Sequence, residues 1–324
     1  MIKQNFKKIA KNVIDLEINA LKKLKVSINN SFSQAVHTIA QCDSKTILCG
    51  VGKSGHVASR IAASLSSVGS PAFALSASDC SHGDLGSISI KDILILISFS
   101  GETEELKNII QYANRNKITL IGIVSNKNSL LYKASDIKLL IPEVQEAGPG
   151  GIVPSSSIIT QSSIGDALCI SVMKYKKFGK LDFKKFHPSG ALGAKLKTVN
   201  DLMLKGNDIP FVNENIKMKV ALKIITKKKL GVLISRNSKK ITTGIITDGQ
   251  IRRASQKNKD LQNLCVKDIY TKKPISIEEE MLAAKALLIM NSKKITSLCV
   301  HGKKTKNKTI GIIHLHHILS ANVQ

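Results

Sequence analysis

The stretch Cys49-Gly50-Val51-Gly52-Lys53-Ser54-Gly55-His56 follows a short apolar run and opens a helical pattern, with glycines at positions 50, 52 and 55. This G-x-G-x-x-G spacing lets the backbone approach an anion, while the helix start presents amides that have no intrahelical partner. The same physics serves any phosphate, so the spacing alone does not select a dinucleotide. A Walker loop is excluded, because Ile47 stands where that pattern needs glycine. The acidic residue expected about 20 residues on for a ribose is represented only by Asp79, slightly late. Lys53 inside the turn suits a sugar phosphate or an enolate oxygen better than a dinucleotide. A second turn, Ser98-Phe99-Ser100-Gly101-Glu102-Thr103, again leads into a helical pattern. Its hydroxyls at Ser98, Ser100 and Thr103 can donate to a phosphate, and Ser100 or Thr103 can equally cap the helix. A third polar turn, Pro154-Ser155-Ser156-Ser157, also starts a helix. Three Ser/Gly turns on one sheet edge point to a phosphosugar site.

The elements that must position these turns are legible as an alternation. An N-terminal helix and a second helical stretch near Phe32–Ile39 precede short, continuously apolar runs at Thr46–Cys49, Ala72–Leu75, Ile93–Ile97, Thr119–Val124 and Ile137–Ile141. Runs of that kind are strands buried on both faces. Helices beginning near Ser54, Glu102, Ser129 and Ser156 fill the gaps, which predicts an α/β fold with a doubly wound parallel sheet ending near residue 195. Beyond it the chain repeats itself. The phrase V-N-D-L-M at Val199 recurs as V-K-D-I-Y at Val266, and G-I-I-T at Gly244 recurs as G-I-I-H at Gly311, both at an offset of 67. Each copy reads as a helix with Lys-Lys after it, a strand, a turn, a strand and a helix. Units of about 60 residues are marginal alone, so the copies are expected to pack on each other.

Composition narrows the function classes. The chain has 324 residues, 43% of them apolar, a mean hydropathy of +0.02 and a net charge of +26 from 49 Lys plus Arg against 23 Asp plus Glu. A disordered chain is excluded, and so is a membrane helix: the longest uncharged stretch, Ala147 to Gly165, is broken by Gly, Pro and Ser. The charge is uneven. Residues 51–150 hold 9 basic and 9 acidic side chains, whereas residues 201–324 hold 24 and 9. The excess thus avoids the motif-bearing region, aromatics are 4% with no Trp, and no helix-turn-helix, finger or RNP pattern is present. Specific nucleic-acid binding is not expected, only weak attraction to polyanions. The N-terminal segment interleaves Lys with its apolar residues, unlike an export signal. The six cysteines, at 42, 49, 80, 169, 265 and 299, show no metal or C-x-x-C spacing and read as reduced core thiols in a cytoplasm.

Five phrases in order carry a resemblance that spans essentially the whole chain. G-V-G-K-S-G-H, S-F-S-G-E-T-E-E and E-A-G-P-G-G-I-V-P-S-S-S, with S-H-G-D-L-G from Ser81 and H-P-S-G-A-L-G from His187, together resemble the sugar isomerase (SIS) domain. The likeness is strongest to the D-arabinose-5-phosphate isomerase family, whose members carry tandem CBS domains after the SIS domain. G-I-I-T-D-G-Q-I-R-R from Gly244 resembles the closing phrase of a CBS motif. The resemblance implies a three-layer SIS domain over 1–195 with N-terminal helices, then small α+β CBS units over 199–260 and 264–324. It also implies interconversion of D-arabinose 5-phosphate and D-ribulose 5-phosphate through an enediolate, feeding synthesis of the eight-carbon acid sugar Kdo of lipopolysaccharide, with no redox cofactor.

By the same resemblance Lys53, Glu105, Glu146 and His187 form the catalytic set. Lys53 would stabilise the enediolate or the phosphate, Glu146 would transfer the proton, Glu105 would hold Lys53 or a sugar hydroxyl, and a neutral His187 would serve ring opening. Substrate binding is assigned to Ser54, Gly69, Ser70, His82, Ser98, Ser100, Thr103, Ser155 and Ser156, with Asp84 orienting His82 or capping a turn. Thr247 and Asp248 are the expected ligand contacts of the first CBS copy. Two departures stand out. Ser76 replaces a histidine that relatives use for an inhibitory divalent metal, so no metal is expected, and His317 stands where the second CBS copy usually has Asp. A homotetramer with sites shared between subunits is implied. The alternatives are a non-catalytic sugar-phosphate sensor, an isomerase of another sugar phosphate and, reading the glycines literally, a dinucleotide-dependent oxidoreductase.

Overall fold

The computed structural model describes residues 5–187, 190–257 and 260–323. The chain forms two compact units, Met1–Phe186 and His187–Gln324.

In the first unit, helices α1 (Phe6–Ser27) and α2 (Asn30–Ala40) precede an alternation of strand and helix. It runs β1 (Thr46–Gly50), α3 (Lys53–Ser67), β2 (Ala72–Ser76), α4 (Ala77–Cys80), β3 (Ile93–Ile97), α5 (Lys107–Arg115), β4 (Thr119–Val124), α6 (Leu130–Ala134), β5 (Ile137–Leu140), α7 (Ser156–Tyr175) and α8 (Lys180–Phe186). The five strands are parallel in the order β2-β1-β3-β4-β5. Each strand begins and ends within one residue of its predicted bounds. The reason lies in the core. On β3, Ile93, Ile95 and Ile97 pack with α2, α3 and α7, while Leu94 and Leu96 pack on the other side with α5 and α6. A strand covered on both faces needs an apolar residue at every position. One helix departs from expectation: after Glu102 the chain first makes a 3₁₀ turn over Glu104–Leu106, and α5 begins only at Lys107. Thr103 precedes that turn without a side-chain capping bond, because its hydroxyl is engaged elsewhere.

Strand order reverses between β1 and β3. The carboxyl ends of those two strands therefore open a crevice, the usual ligand position in an open parallel sheet. Helix α7 closes on α3 beside it. A Cβ at Gly165 would overlap the Ile61 side chain, so glycine there sets the approach of the two helices. Arg60 and Asp166 bridge them at the surface at 2.8 Å.

The second unit begins with α9 (Gly190–Lys195), α10 (Val199–Leu202), β6 (Leu204–Lys205), β7 (Phe211–Asn213), α11 (Met218–Lys228), β8 (Val232–Arg236), β9 (Thr242–Thr247) and α12 (Asp248–Lys257). The second copy supplies α13 (Val266–Ile269), β10 (Thr271–Lys272), β11 (Ser276–Glu278), α14 (Ala283–Lys293), β12 (Ser297–His301), β13 (Gly311–His314) and α15 (Leu315–Ser320). The lysines after α11 and α14 are their left-handed C-caps, Lys229 at φ 54° and Lys294 at φ 52°. The copies do more than pack. Their sheets run β10-β9-β8-β7 and β11-β12-β13-β6, so each copy lends its short leading strand to the sheet of the other. Across the approximate two-fold, Thr242 and Thr309, 67 residues apart, share a hydroxyl hydrogen bond of 2.8 Å. Ile209, Val232, Ile234, Cys299 and Ile312 form a core common to both copies.

All six cysteines are free, and burial pushes Cys49 and Cys169 up to about 12 and Cys299 up to about 11. Among the described residues no helix is long and apolar enough to cross a membrane.

The strand exchange makes the two copies one folding unit. A chain ending at residue 263 lacks β10 and every partner of β6, so limited proteolysis is expected to cut rapidly within residues 199–257, which resist in the full chain.

Candidate functional site

Each glycine of the first turn answers a different steric demand. A Cβ on Gly50 would lie 2.8 Å from the Ser54 carbonyl carbon, and one on Gly55 would lie 2.8 Å from the Gly50 oxygen. Strand β1 and helix α3 thus meet backbone to backbone. Gly52, at φ 57° and ψ −125°, takes a conformation closed to side-chain-bearing residues and precedes α3 without any side-chain cap. Helix α3 accordingly starts at Lys53 with its first amides uncapped by side chains, and Lys53 itself is exposed.

The second turn is held from within. Ser98, only 3% exposed, shares a 2.8 Å hydrogen bond with the Thr103 hydroxyl and accepts the Gly101 amide at 3.0 Å. Ser100 accepts the Glu102 amide at 3.2 Å. Neither Ser100 nor Thr103 caps the following helical turn, so the capping alternative fails for both, and the Ser98 and Thr103 hydroxyls brace the loop instead. Glu102 points elsewhere and accepts the Leu130 amide at the start of α6.

The third turn is organised by a carboxylate. Glu146 accepts the Ser155 amide at 2.7 Å, the Ser155 hydroxyl at 3.2 Å and the Ser157 amide at 3.3 Å. It therefore caps α7 from outside the helix, where the helix dipole favours negative charge. Burial raises its pKa and is the largest single influence, but the Ser157 and Ser155 hydrogen bonds together outweigh it and hold the carboxyl below its usual range. Lys53, Ser54, Phe99, Glu146, Ser157 and Gln161 line one cleft of about 250 Å³. A cation and an ionised carboxylate thus face the same small volume at the crevice predicted from strand order. Such a pair can stabilise a developing oxyanion and accept a proton.

The remaining expected residues divide. Ser155 is the N-cap residue of α7 that holds Glu146, and Ser156 is fully buried in the first turn with its hydroxyl unpartnered. Glu105 is exposed on the 3₁₀ turn and does not line the cleft; no hydrogen bond or ion pair joins it to Lys53. His82 lies in an exposed segment after α4, and Asp84 makes no side-chain bond to it. Gly69 and Ser70 are a correction. They precede β2, at the amino edge of the sheet, where Lys176 bonds the Ser70 hydroxyl at 2.8 Å and the Gly69 carbonyl at 3.4 Å. The cleft described above is at the opposite edge of the sheet. His187 is half-buried and opens the second unit, and Pro188 and Ser189 lie outside the described residues.

The Ser76 hydroxyl caps α4 by accepting the Asp79 amide at 3.4 Å. In the second unit Thr247 and Asp248 line a cleft of about 570 Å³ together with Arg253, Lys273, Lys294 and Ser297. The expected equivalence of His317 with Asp248 is also corrected. Asp248 opens α12 directly after β9, and the residue that opens α15 directly after β13 is Leu315. Sequence patterning did not flag Gln161. The only signal available was its place four residues after Ser157, on one face of a Ser-rich helix.

Comparison with known proteins agrees with this architecture. The sequence model of the SIS domain family matches residues 38–171, and that of the CBS domain family matches residues 199–257 and 266–323. The chain is 38% identical to the arabinose 5-phosphate isomerase KdsD of Yersinia pestis, over 98% of this chain and 97% of that one. It is 35% identical to KdsD of Escherichia coli strain K12, with the same two coverages. A solved structure from E. coli CFT073, in complex with arabinose 5-phosphate, superposes with a TM-score of 0.56 at 31% identity, covering 58% of this chain and all of the other.

Replacing Glu146 by Gln keeps an acceptor at α7 but removes the charge. The variant is expected to lose about 0.5–2 kcal/mol of stability at pH 7. Because the folded carboxyl titrates below its ordinary 4.5, the gap should close as pH falls below that value, as read from urea unfolding at several pH values.

Proposed function

This chain belongs to the arabinose 5-phosphate isomerase family, built from a SIS domain followed by two CBS domains, and we propose that it interconverts D-arabinose 5-phosphate and D-ribulose 5-phosphate. The observation that carries the reading is the single cleft lined by the Lys53 cation and the ionised Glu146 carboxylate, with Phe99 of the Ser98–Thr103 turn.

In this reading the turns around Gly50–Gly55 and Ser98–Thr103 take the phosphate through backbone amides and hydroxyls. After ring opening, for which His187 is the proposed proton carrier, Glu146 removes the proton from C2 of the aldose. The electron pair moves to form the C1–C2 double bond, and the negative charge on the enediolate oxygens is met by Lys53. Return of a proton to C1, with the hydroxyl proton passing from O2 to O1, completes the ketose. Only protons and electron pairs within the sugar move, so no redox cofactor enters. The donors that hold Glu146 keep it ionised at neutral pH, which readies it as a base while limiting its strength.

The proposal includes the family's supply of Kdo synthesis in a cytoplasm and a homo-oligomer, a tetramer by family likeness, that completes each site. In support of completion by a partner, the loop carrying Glu146 leaves Ile152 80% and Val153 60% exposed, and the Ser81–Ser87 segment with His82 is largely exposed. A second copy would also offer the exposed Glu105 and His82 a surface to meet.

The test is proton NMR of the purified protein with ribulose 5-phosphate in deuterium oxide. Arabinose 5-phosphate should appear, with deuterium entering C2 if the base exchanges with solvent. Lys53→Met should slow turnover by about 10²–10⁴-fold without lowering the melting temperature, since Lys53 is exposed. Saturable binding without product would instead establish a sugar-phosphate sensor.

A further inference from the structure

Gln161 has no exposed surface, yet neither its Nε2 nor its Oε1 has a hydrogen-bond partner. Among the described residues that line the cleft, it is the only one buried in this way with its whole polar group unpaired. Buried amides are normally paired, and one left unpaired at both ends weakens the fold. Packing offers no reason for it. Val51, Phe99 and Ile158 line the same cleft, so a methionine of similar length would suit these surroundings better.

Its position supplies the reason. Ser157, Gln161 and Gly165 follow one another at intervals of four along α7, on the side that meets α3. Ser157 donates its amide to Glu146, and Gly165 admits Ile61 of α3. Gln161 therefore lies one turn beyond Ser157, which binds Glu146, and lines the cleft together with Lys53 and Ser54. An amide offers a donor and an acceptor in one plane, which matches two adjacent oxygens of a polyol chain.

Resting on the isomerase reading, we propose that the Gln161 carboxamide is a substrate-binding group for the open sugar chain. Nε2 donates to one sugar oxygen, and Oε1 accepts from the hydroxyl of its neighbour. The amide is closed to solvent in the free protein, so contact follows rotamer changes in the lining side chains on binding, of a kind common at binding sites. The unpaired amide is then a cost carried by the free protein and relieved by the ligand.

The test uses the full chain with Gln161→Met and Gln161→Asn. It reads kcat/KM for the sugar phosphate, and melting temperature alone, with inorganic phosphate and with arabinose 5-phosphate. Gln161→Met should melt at or above the wild-type temperature without ligand and keep its protection by inorganic phosphate. It should lose the additional protection given by the sugar phosphate, and its kcat/KM should fall about 100-fold, with Gln161→Asn intermediate. A kcat/KM within about threefold of wild type, with sugar-phosphate protection intact, overturns the proposal. So does a lower unliganded melting temperature with activity lost only in proportion to folded protein, the mark of a structural amide. If the wild-type protein binds arabinose 5-phosphate without converting it, the isomerase reading fails separately, and the loss or retention of that protection in Gln161→Met then decides the role of Gln161.

Discussion

Two places where backbone meets its neighbour without an intervening side chain determine where the site forms. At Gly50 and Gly55, strand β1 and the first turn of α3 touch directly, which sets Lys53 at the carboxyl edge of the sheet. At Gly165, α7 comes down on Ile61 of the same α3. Glu146 is bonded to the first turn of α7 and Gln161 lies on that helix, and both line the cleft. A Cβ at Gly50 or Gly55 would meet backbone and push α3 from β1, and one at Gly165 would force the Ile61 side chain to shift, so the cleft depends on close packing more than on any single polar contact.

Electrostatics then work locally. The overall charge of +26 says little about the site, because the segment that builds it is balanced in basic and acidic residues. The relevant field is that of a helix end: α7 presents amides at Ser155 and Ser157, and a carboxylate from a neighbouring loop answers them. That one arrangement shapes the Gly/Pro-rich loop, terminates α7 and keeps an ionised group beside Lys53. The loop reaches that position through glycines with positive φ at 148, 150 and 151, a conformation open to residues without Cβ.

The second unit solves a different problem. Copies of about 60 residues bury too little surface to stand alone, and here they share a core and exchange short strands. The exchange of β6 and β10 leaves the two copies interdependent, with a cleft lined by residues of both. Its basic and hydroxyl side chains, with Asp248 held against Gly231, give the pair a defined polar interior.

The strands of the first unit were legible to within a residue because burial on both faces writes a continuous apolar run into the chain. The three turns were legible because glycine and serine at strand ends have few other uses, and the internal repeat was legible from its constant offset. Other features were not. Two-residue strands such as β6 and β10 carry no periodicity, so their exchange between copies left no trace. The family resemblance placed Gly69 and Ser70 with the substrate-binding turns, whereas chain direction carried them to the far edge of the sheet. Gln161 looked like any polar residue of a Ser-rich helix, since being buried and unpaired is a property of its neighbours. By itself the sequence determined the elements, their order and the residue types at the strand ends, because these follow from local periodicity and backbone sterics. Only the tertiary structure decided which of those residues share a cleft, because that depends on how closely α3 and α7 approach, a distance set by atoms more than a hundred residues apart.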